Sequence, residues 1–236
     1  MAVYHRILLK LSGEALKSGH DLFDFEKLNQ IAGIIKKIHD MDVEIGIVIG
    51  AGNIWRGRQG PSASMDAVTA DQMGMLGTVI NCLCMADALR RAGLDAVVQS
   101  AVDMHRFAEP FNAMAARRHL DEGRVVLFAC GTGNPFFSTD SGVALRAVEM
   151  KVDAVLMAKN IDGVYTADPL KDPSATLIRD ITYADALARG LKVMDASAFA
   201  LCAENNVPML RVFGLDDPEN LIRVLEGSDI GTFVHP

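Results

Sequence analysis

The stretch Val43–Gly57 reads VEIGIVIGAGNIWRG and joins a strand pattern to a loop of small residues. Its first half is short, apolar and rich in β-branched residues, as is typical of a buried strand. The small residues from Gly50 onward would let the backbone approach a ligand closely, and Arg56 adds a cation beside them. A strand-to-helix turn with an exposed arginine would produce the same pattern. The pattern alone does not decide between the two, but in α/β sheets ligands bind at the carboxyl ends of the strands.

Outward from this stretch, apolar runs of strand length alternate with helical patterns. The alternation predicts an α/β fold, a three-layer sandwich with a mainly parallel central sheet and helices on both faces. We expect one domain over residues 1–236, in which the irregular residues 158–180 form a small lobe beside the core. The other predicted strands are Ile7–Leu9, Ala96–Val98, Val125–Phe128, Ala154–Met157, Leu210–Phe213 and, as an edge strand, Thr232–Val234. The predicted helices cover residues 28–38, 64–92, 110–121 and 140–150, two short stretches after 174, and one stretch after Pro218.

Composition narrows the class of protein. The 236 residues carry a formal net charge of −7, which argues against a protein that wraps nucleic acid or coats an anionic membrane. The four cysteines have no metal-site spacing and are expected to be free thiols, as in a reducing compartment. The N-terminus lacks a signal-peptide core, and no apolar run is expected to span a membrane. We therefore expect a cytoplasmic protein without nucleic-acid or membrane partners.

Two further loops follow predicted strands. Lys10 is followed by Ser12 and Gly13, so a charge and close backbone N–H groups stand together as a phosphate would require. Taken alone, this pattern is more typical of a surface lysine before a turn. The segment Gly131–Asp140, GTGNPFFSTD, gathers hydroxyls, an amide, two aromatic rings and a carboxylate just before a helix. A helix cap and core packing would explain only part of that set, which favours a ligand loop.

Several enzyme classes lack their motifs in this chain. Both glycine loops miss the last glycine of a dinucleotide fingerprint, which Trp55 replaces in the first of them. The chain contains neither a G-x-x-x-x-G-K-[ST] phosphate loop nor the H-R-D and D-F-G elements of protein kinases. No metal-ligand cluster and no Ser/His/Asp set stands out, and the six histidines are interpreted as structural or surface residues. These absences exclude dehydrogenase, P-loop and protein-kinase chemistry.

The predicted helix Met73–Leu89 is apolar almost all round. A surface helix would be polar on one side. The helix therefore lies deep in the core or packs its second face on another subunit, and we favour the subunit contact.

Together these segments resemble the bacterial uridylate kinases of the amino-acid-kinase superfamily. They follow one another in family order, and TGNPFFSTD is the most specific of them. The resemblance implies an amino-acid-kinase-like fold and transfer of the ATP γ-phosphoryl group to UMP, giving UDP and ADP in pyrimidine biosynthesis. The matching segments are Lys10–Ala15, Gly50–Gly57, Asp71–Met75, Gly131–Asp140, Asp162–Pro169 and Leu191–Asp195.

The resemblance also implies roles for individual residues. Lys10 and Arg56 would act on the transferring phosphoryl group, and Asp140 and Asp195 would orient Lys10. ATP would also be bound by Leu11, Ser12, Gly13, Gly52, Asn160, Tyr165 and Asp168, which puts the 158–180 lobe on the ATP side. UMP would be bound by Ala51, Asp71, Thr132, Gly133, Asn134, Pro135, Phe136, Phe137, Ser138 and Thr139.

The implied chemistry needs no general base. The second pKa of a phosphate monoester is about 6, so UMP is mostly a dianion at neutral pH. The barrier lies in bringing two polyanions together, which cations, loop amides and helix N-termini relieve. The resemblance further implies Mg²⁺ held mainly by the nucleotide phosphates, a homohexamer, and inhibition by UTP through the UMP pocket.

Two departures from the family pattern affect what carries over. Ala51 stands where the family usually has the second glycine of Gly-Gly-Gly-Asn, and alanine keeps the N–H but resists positive φ. The site therefore carries over if φ at position 51 is below zero. The family's glycine-rich stretch linked to GTP activation corresponds here to Ser18–Phe23, so GTP activation is not carried over.

Two other functions fit the same fold. One is a superfamily enzyme that phosphorylates a carboxylate, such as that of an amino acid, although the hydroxyl-rich residues 132–139 speak against it. The other is a non-catalytic nucleotide-binding or storage protein, which would have no need to retain Lys10, Arg56 and Asp195.

Overall fold

The structure is a computed structural model that describes residues 2–56, 64–159, 161–191 and 194–236. Within these ranges, nine strands form one sheet and two more form a separate hairpin. The strands in the sheet are β1 (Arg6–Leu11), β2 (Glu44–Ile49), β3 (Ala96–Ser100), β4 (Glu109–Pro110), β5 (Val125–Ala129), β6 (Ala154–Lys159), β9 (Asp180–Thr182), β10 (Leu210–Gly214) and β11 (Thr232–His235). The hairpin strands are β7 (Val164–Tyr165) and β8 (Leu177–Ile178).

The sheet order is β4-β3-β5-β2-β1-β6-β10-β11-β9. Every neighbouring pair in it is parallel except β10 and β11, which run antiparallel. β1 lies at the centre, with β2 on one side and β6 on the other. The chain thus leaves β1 toward one side and later returns to its other side. Such a reversal opens a crevice at the carboxyl ends of the strands.

Helices cover both faces of the sheet, so the predicted three-layer sandwich is confirmed. α1, α2 and α7 pack on one face, and α3 to α6 pack on the other. A short 3₁₀ helix, Gly13–Leu16, directly follows β1. The α-helices are α1 (Phe25–His39), α2 (Ala67–Arg91), α3 (Ala113–Asp121), α4 (Thr139–Met150), α5 (Tyr183–Ala188), α6 (Ala196–Glu204) and α7 (Asn220–Leu225).

Side-chain alternation along β1 connects the core to the site. Ile7, Leu9 and Leu11 belong to the apolar cluster on the α1/α2 face, whereas Leu8 belongs to the cluster on the other face. Because side chains of a strand alternate between faces, Lys10 shares the face of Leu8. That is the face on which α4 packs. The strand register therefore directs the lysine toward the sandwich layer that contains α4.

One predicted strand has a different place in the sheet. Thr232–Val234 was expected to form an edge, but β11 lies between β10 and β9. The edges are β4, with two residues, and β9, with three. Such short strands show no alternation in sequence, and short edges also limit pairing with other chains.

α2, Ala67–Arg91, falls within the predicted residues 64–92, but it is more suited to a membrane span than the sequence was expected to allow. Of the described helices, it is the one whose length and composition would permit a membrane span, and half of its apolar window is buried within the fold. It packs against β2, β3 and β5 and buries residues such as Cys82, Met85 and Leu89. Its opposite side leaves Leu76 and Ile80 55% and 47% exposed. The apolar composition thus serves a core contact on one side and leaves an apolar face on the other.

Candidate active site

A cavity of about 880 Å³ lies at the carboxyl ends of β1, β2 and β5. The loops after these three strands supply most of its wall, and α2 supplies much of the rest. The sequence-predicted residues that line it are Lys10, Ser12, Gly13, Ala51, Gly52, Arg56, Asp71, Thr132, Asn134, Phe136, Phe137, Ser138, Thr139 and Asp195. Residues from distant parts of the sequence therefore meet in one space, as the sheet order dictates.

Lys10 forms an ion pair across the cavity floor. Its Nζ lies 3.2 Å from Oδ1 of Asp140, and both side chains are more than four-fifths buried. Asp140 is the second residue of α4, and the amide ends of that helix give this region a positive potential. The carboxylate fixes the ammonium group at the point where β1 ends. Among the ion pairs of the described residues, Lys10 has none with Asp195.

The loop after β2 is held by a pair of buried amides. Asn81 on α2 donates to the carbonyl oxygen of Gly50 at 2.7 Å and to Oδ1 of Asn53 at 2.8 Å, and Asn53 donates back to Asn81 at 3.0 Å. Gly13 packs against the same loop, since a methyl group there would lie 2.5 Å from the Gly50 oxygen. These contacts fix the loop backbone before any ligand binds.

The backbone at Ala51 meets the condition under which the site carries over. The described non-glycine residues with positive φ are Asp42, Ser64, Cys130, Phe136, Lys151 and Asn206, and Ala51 is not among them. The alanine is therefore compatible with the loop conformation, and the residue forms part of the cavity wall.

Arg56 is held above the cavity by Glu14. The carboxylate of Glu14 pairs with Lys17 at 2.6 Å and with Arg56 at 2.5 Å. Hydrogen bonds from Lys17 and Arg56 keep the pKa of Glu14 below its usual range. Glu14 thus stays ionised at neutral pH and holds a guanidinium that is itself 58% exposed. An incoming phosphate would meet a cation that is already in place.

The loop after β5 is tightly turned. Cys130, Gly131, Gly133 and Phe136 all have positive φ, and a side chain at Gly133 would come within 3.0 Å of the Ala101 oxygen. Left-handed conformations at Cys130 and Phe136 are strained for residues with a Cβ, and such strain concentrates at functional sites. The turn brings residues of mixed chemistry around one side of the cavity.

Contacts from two helices hold that loop in place. Asp71 on α2 accepts a hydrogen bond from the Phe136 N–H at 2.8 Å. Arg146 on α4 donates to the Gly131 oxygen at 3.1 Å. Ser138 is the N-cap of α4 and accepts from the N–H groups at the start of that helix. The rings of Phe136 and Phe137 remain more than half exposed.

Two smaller cavities continue the cleft beyond Lys10. One, of about 500 Å³, is lined by Asp140, Lys159 and Asp195 among others. The other, of about 420 Å³, is lined by Lys159, residues 163–171 and residues 189–191. It contains Tyr165, whose hydroxyl donates to Asp162 at 2.8 Å, and Asp168, which accepts from the Leu170 N–H at 3.0 Å. Shared residues connect the three cavities, so the cleft extends along the strand ends.

Some predicted contacts are placed differently. The side chain of Leu11 is buried in the core, so it can offer a ligand only its backbone. Gly133 and Pro135 belong to the loop but do not line the main cavity. Asn160 lies outside the described residues, as do Gly57, Lys192 and Val193 of the matching segments.

Lys159 is a candidate site residue that the sequence analysis did not identify. It ends β6, and Met157, two residues before it, pairs with Lys10 of β1. Lys10 and Lys159 therefore end neighbouring strands on the same face of the sheet. Burial lowers the pKa of Lys159, as does the charge of Lys10, while Asp140 and Asp195 raise it. The sequence does place this lysine near the end of a predicted strand. No loop of small residues follows it directly, so it did not stand out.

A model of the amino acid kinase family matches residues 5–211. The chain belongs to the amino acid kinase family.

Similar solved structures agree with this membership of the amino acid kinase family. UMP kinase from Bacillus anthracis is 38% identical over 98% of this chain and 96% of its own, with a TM-score of 0.93. UMP kinase from Ureaplasma parvum is 39% identical over 98% and 99% of the two chains, with a TM-score of 0.92. Uridylate kinase from Archaeoglobus fulgidus shares the fold at 24% identity, over 97% and 99%, with a TM-score of 0.74. The amino-acid-kinase-like fold predicted from the sequence is confirmed.

Proposed function

We propose that the chain transfers the γ-phosphoryl group of ATP to UMP, giving UDP and ADP in pyrimidine nucleotide synthesis. One observation carries the proposal. Lys10, the loop after β2 and the Thr132–Thr139 segment line a single cavity, so phosphate-binding groups and a nucleoside-binding loop share one space. Two UMP kinases at 38% and 39% identity over nearly the whole chain support the choice of acceptor.

The shape of the cleft suggests how the two nucleotides lie. ATP takes the two smaller cavities, with its base and ribose near Tyr165 and Asp168 and its γ-phosphate near Lys10. UMP takes the main cavity, with its phosphate on the Ala51–Gly52 amides and Arg56 and its ribose near Asp71. The Thr132–Thr139 segment then surrounds the nucleoside. The two phosphates meet at the point where β1 and β6 end.

The residues at that junction suit phosphoryl transfer between two anions. Lys10, Lys159 and Arg56 bring positive charge from three different elements, and the N-terminus of α4 adds aligned backbone dipoles. Groups of this kind stabilise the charge that develops on the transferring phosphoryl group. Asp140 pairs with Lys10, and the charges of Asp140 and Asp195 favour the charged form of Lys159. The acceptor needs no base because it is already a dianion.

Mg²⁺ fits this donor set as a nucleotide-bound ion. Within the described ranges, no group of three or more His, Cys, Asp or Glu side chains is arranged to hold a metal. Mg²⁺ usually keeps several water ligands and is bound through substrate phosphates and one or two carboxylates, and Asp140 and Asp195 are the carboxylates at hand. The ion supplies charge neutralisation between the phosphates when it is bound.

Assembly, regulation and location complete the proposal. The exposed apolar side of α2 supports a homohexamer in which that side contacts another subunit. UTP inhibits because it presents the same uridine to the main cavity. The described cysteines are all free thiols, which supports a reducing, cytoplasmic location. No observation favours a storage role.

The test is ADP release with Mg²⁺-ATP and one acceptor at a time: UMP, CMP, AMP, aspartate or glutamate. We expect strong turnover with UMP, because the main cavity is lined by hydroxyls and an amide that suit a nucleoside. Turnover with an amino acid would overturn the choice of acceptor. If folded protein released no ADP with any of these acceptors, the non-catalytic alternative would be favoured.

A further inference from the structure

Gly77 on α2 touches the loop after β2 at one point. A methyl group built at Gly77 would lie 2.9 Å from the Cβ of Ala51 and 3.7 Å from Cβ and Cγ2 of Ile54. Real Cβ atoms essentially never approach another heavy atom closer than 3.0 Å. The methyl of Ala51 therefore occupies the space that a side chain at position 77 would need.

Neither α2 nor the loop after β2 can easily move away from this contact. Asn81 lies four residues after Gly77 and so on the same face of α2. Its amide binds the Gly50 oxygen and the Asn53 side chain, which flank Ala51 in the loop. Asn53 and Asn81 are 8% and 0% exposed, so breaking these bonds would leave buried polar groups unpaired. Pushing the loop away from residue 77 would strain the very bonds that hold it.

The backbone after β1 also packs on the loop. A methyl built at Gly13 would lie 2.5 Å from the Asn53 Oδ1 and 2.7 Å from the Gly52 nitrogen, so the backbone after β1 rests directly on the loop. α2 itself is fixed by packing on β2, β3 and β5. A shift of 0.5 Å, from 2.9 to the 3.4 Å of an ordinary contact, would have to be absorbed by the loop amides.

We propose that Gly77 is a positioning residue, matched to Ala51, that sets where the Ala51 and Gly52 amides stand in the main cavity. The inference rests on the proposed function, because it takes those amides to bind the UMP phosphate. Gly77 itself touches no substrate. The absence of a side chain there lets α2 approach the loop closely enough for Asn81 to bind it.

The test is a double-mutant cycle of wild type, Ala51→Gly, Gly77→Ala and the double variant, with kcat and KM measured for UMP and for ATP. In the wild-type background, Gly77→Ala should raise the KM for UMP about tenfold, with a smaller change in kcat. In the Ala51→Gly background, Gly77→Ala should change the KM for UMP less than about twofold, because the Ala51 methyl is gone. Gly33→Ala in α1 is the matched control, since a methyl there meets nothing within 4 Å.

The inference would be overturned if Gly77→Ala still raised the KM for UMP about tenfold with glycine at position 51. The alanine at position 77 would then act through the helix alone, without the Ala51 contact. Ala51→Val approaches the same contact from the loop side and should raise the KM for UMP, even if Gly77→Ala gives no folded protein. Arg56→Ala distinguishes a failure of the role given to Gly77 from a failure of the proposed UMP site. If it impairs UMP use while Gly77→Ala and Ala51→Val do not, only the inference fails. If none of the three changes the KM for UMP, the proposed acceptor site fails too.

Discussion

Lys10 and Lys159 bring two ammonium groups to one face of the sheet. The repulsion between them is balanced by Asp140 and Asp195, whose charges both act on Lys159. Burial works against the charged form of Lys159 and is the largest influence on it. Phosphate groups at this point would therefore favour the charged form of Lys159. An anionic ligand adds negative charge at the place where two cations are already held.

This balance gives Lys159 a testable pH dependence. Its pKa is lowered from that of an ordinary lysine, so the ammonium loses its proton at a lower pH than usual. We expect kcat to fall on the alkaline side as that charge is lost. In Lys159→Arg the fall should move to higher pH, since a guanidinium stays charged. Lys159→Met should lower kcat at neutral pH by about a hundredfold.

Lys37→Met provides the control, because Lys37 is an exposed lysine paired with Glu219. Its kcat profile should match that of the wild type. An unchanged alkaline fall in Lys159→Arg would remove Lys159 from the reaction.

Individual site residues could be predicted from the sequence only where a motif surrounded them. Lys10 and Arg56 stand beside glycines, and the resemblance assigned them at once. Lys159 lies just before the matching segment Asp162–Pro169 and outside it, and its position becomes clear only from the pairing of β6 with β1. The ion pair of Lys10 with Asp140 also depends on how α4 packs, which no local pattern encodes.

At the scale of elements, α4 joins the loop after β5, which is the proposed acceptor loop, to Lys10 on β1. It begins inside the loop, at the Ser138 cap, and its second residue pairs with Lys10. The start of the helix therefore determines both the end of the loop and the position of the Lys10 partner. Loosening that start should affect stability and UMP binding together.

We therefore expect Ser138→Ala to lower the free energy of unfolding by about 1 kcal/mol, as loss of an N-cap usually does. The KM for UMP should rise as well, because the cap ends the acceptor loop. Chemical denaturation and steady-state kinetics measure the two effects. Ser138→Thr should restore much of both, since threonine can also cap.

Thr182→Ala is the matched control for this prediction. Thr182 caps α5 by accepting from the Asp185 N–H at 3.0 Å. Its loss should reduce stability without changing the KM for UMP. If Ser138→Ala behaved in the same way, α4 would have no special link to the acceptor loop.

The sequence predicted the longer elements to within a few residues, because periodicity accumulates over their length. The missed elements are β4, β7, β8 and β9, which have two or three residues each. These short strands form because an adjacent strand is available to pair with them. Their own sequences are too short to show a strand pattern. The place of β11 inside the sheet follows from the same fact.

At the scale of the whole molecule, α2 contributes to two surfaces. One side lies on the sheet and holds the loop after β2 through Asn81. The other side presents Met73, Leu76 and Ile80 at 37%, 55% and 47% exposure. Apolar residues grouped on one exposed face are typical of a contact between subunits. The proposed hexamer would bury this face.

We expect the wild-type protein to have the mass of a hexamer by light scattering, and Leu76→Glu to give a smaller species. A charge placed in an apolar contact without a partner opposes association. Val3→Glu changes an equally exposed apolar residue outside α2 and should leave the mass unchanged. A monomeric wild type, or a Leu76→Glu protein of undiminished mass, would contradict this use of α2.

The strand order has a consequence for how the chain matures. β1 lies beside β6, so Arg6–Leu11 must wait for a partner, Ala154–Lys159, that is made much later in synthesis. Closing so long a loop is slow, and it must occur before Lys10 and Lys159 can stand together. A nascent chain emerging from the ribosome would therefore contain the loops after β1, β2 and β5 before β6 completes the proposed active site. On the proposed function, a chain that stops short of β6 would lack Lys159 and should be inactive.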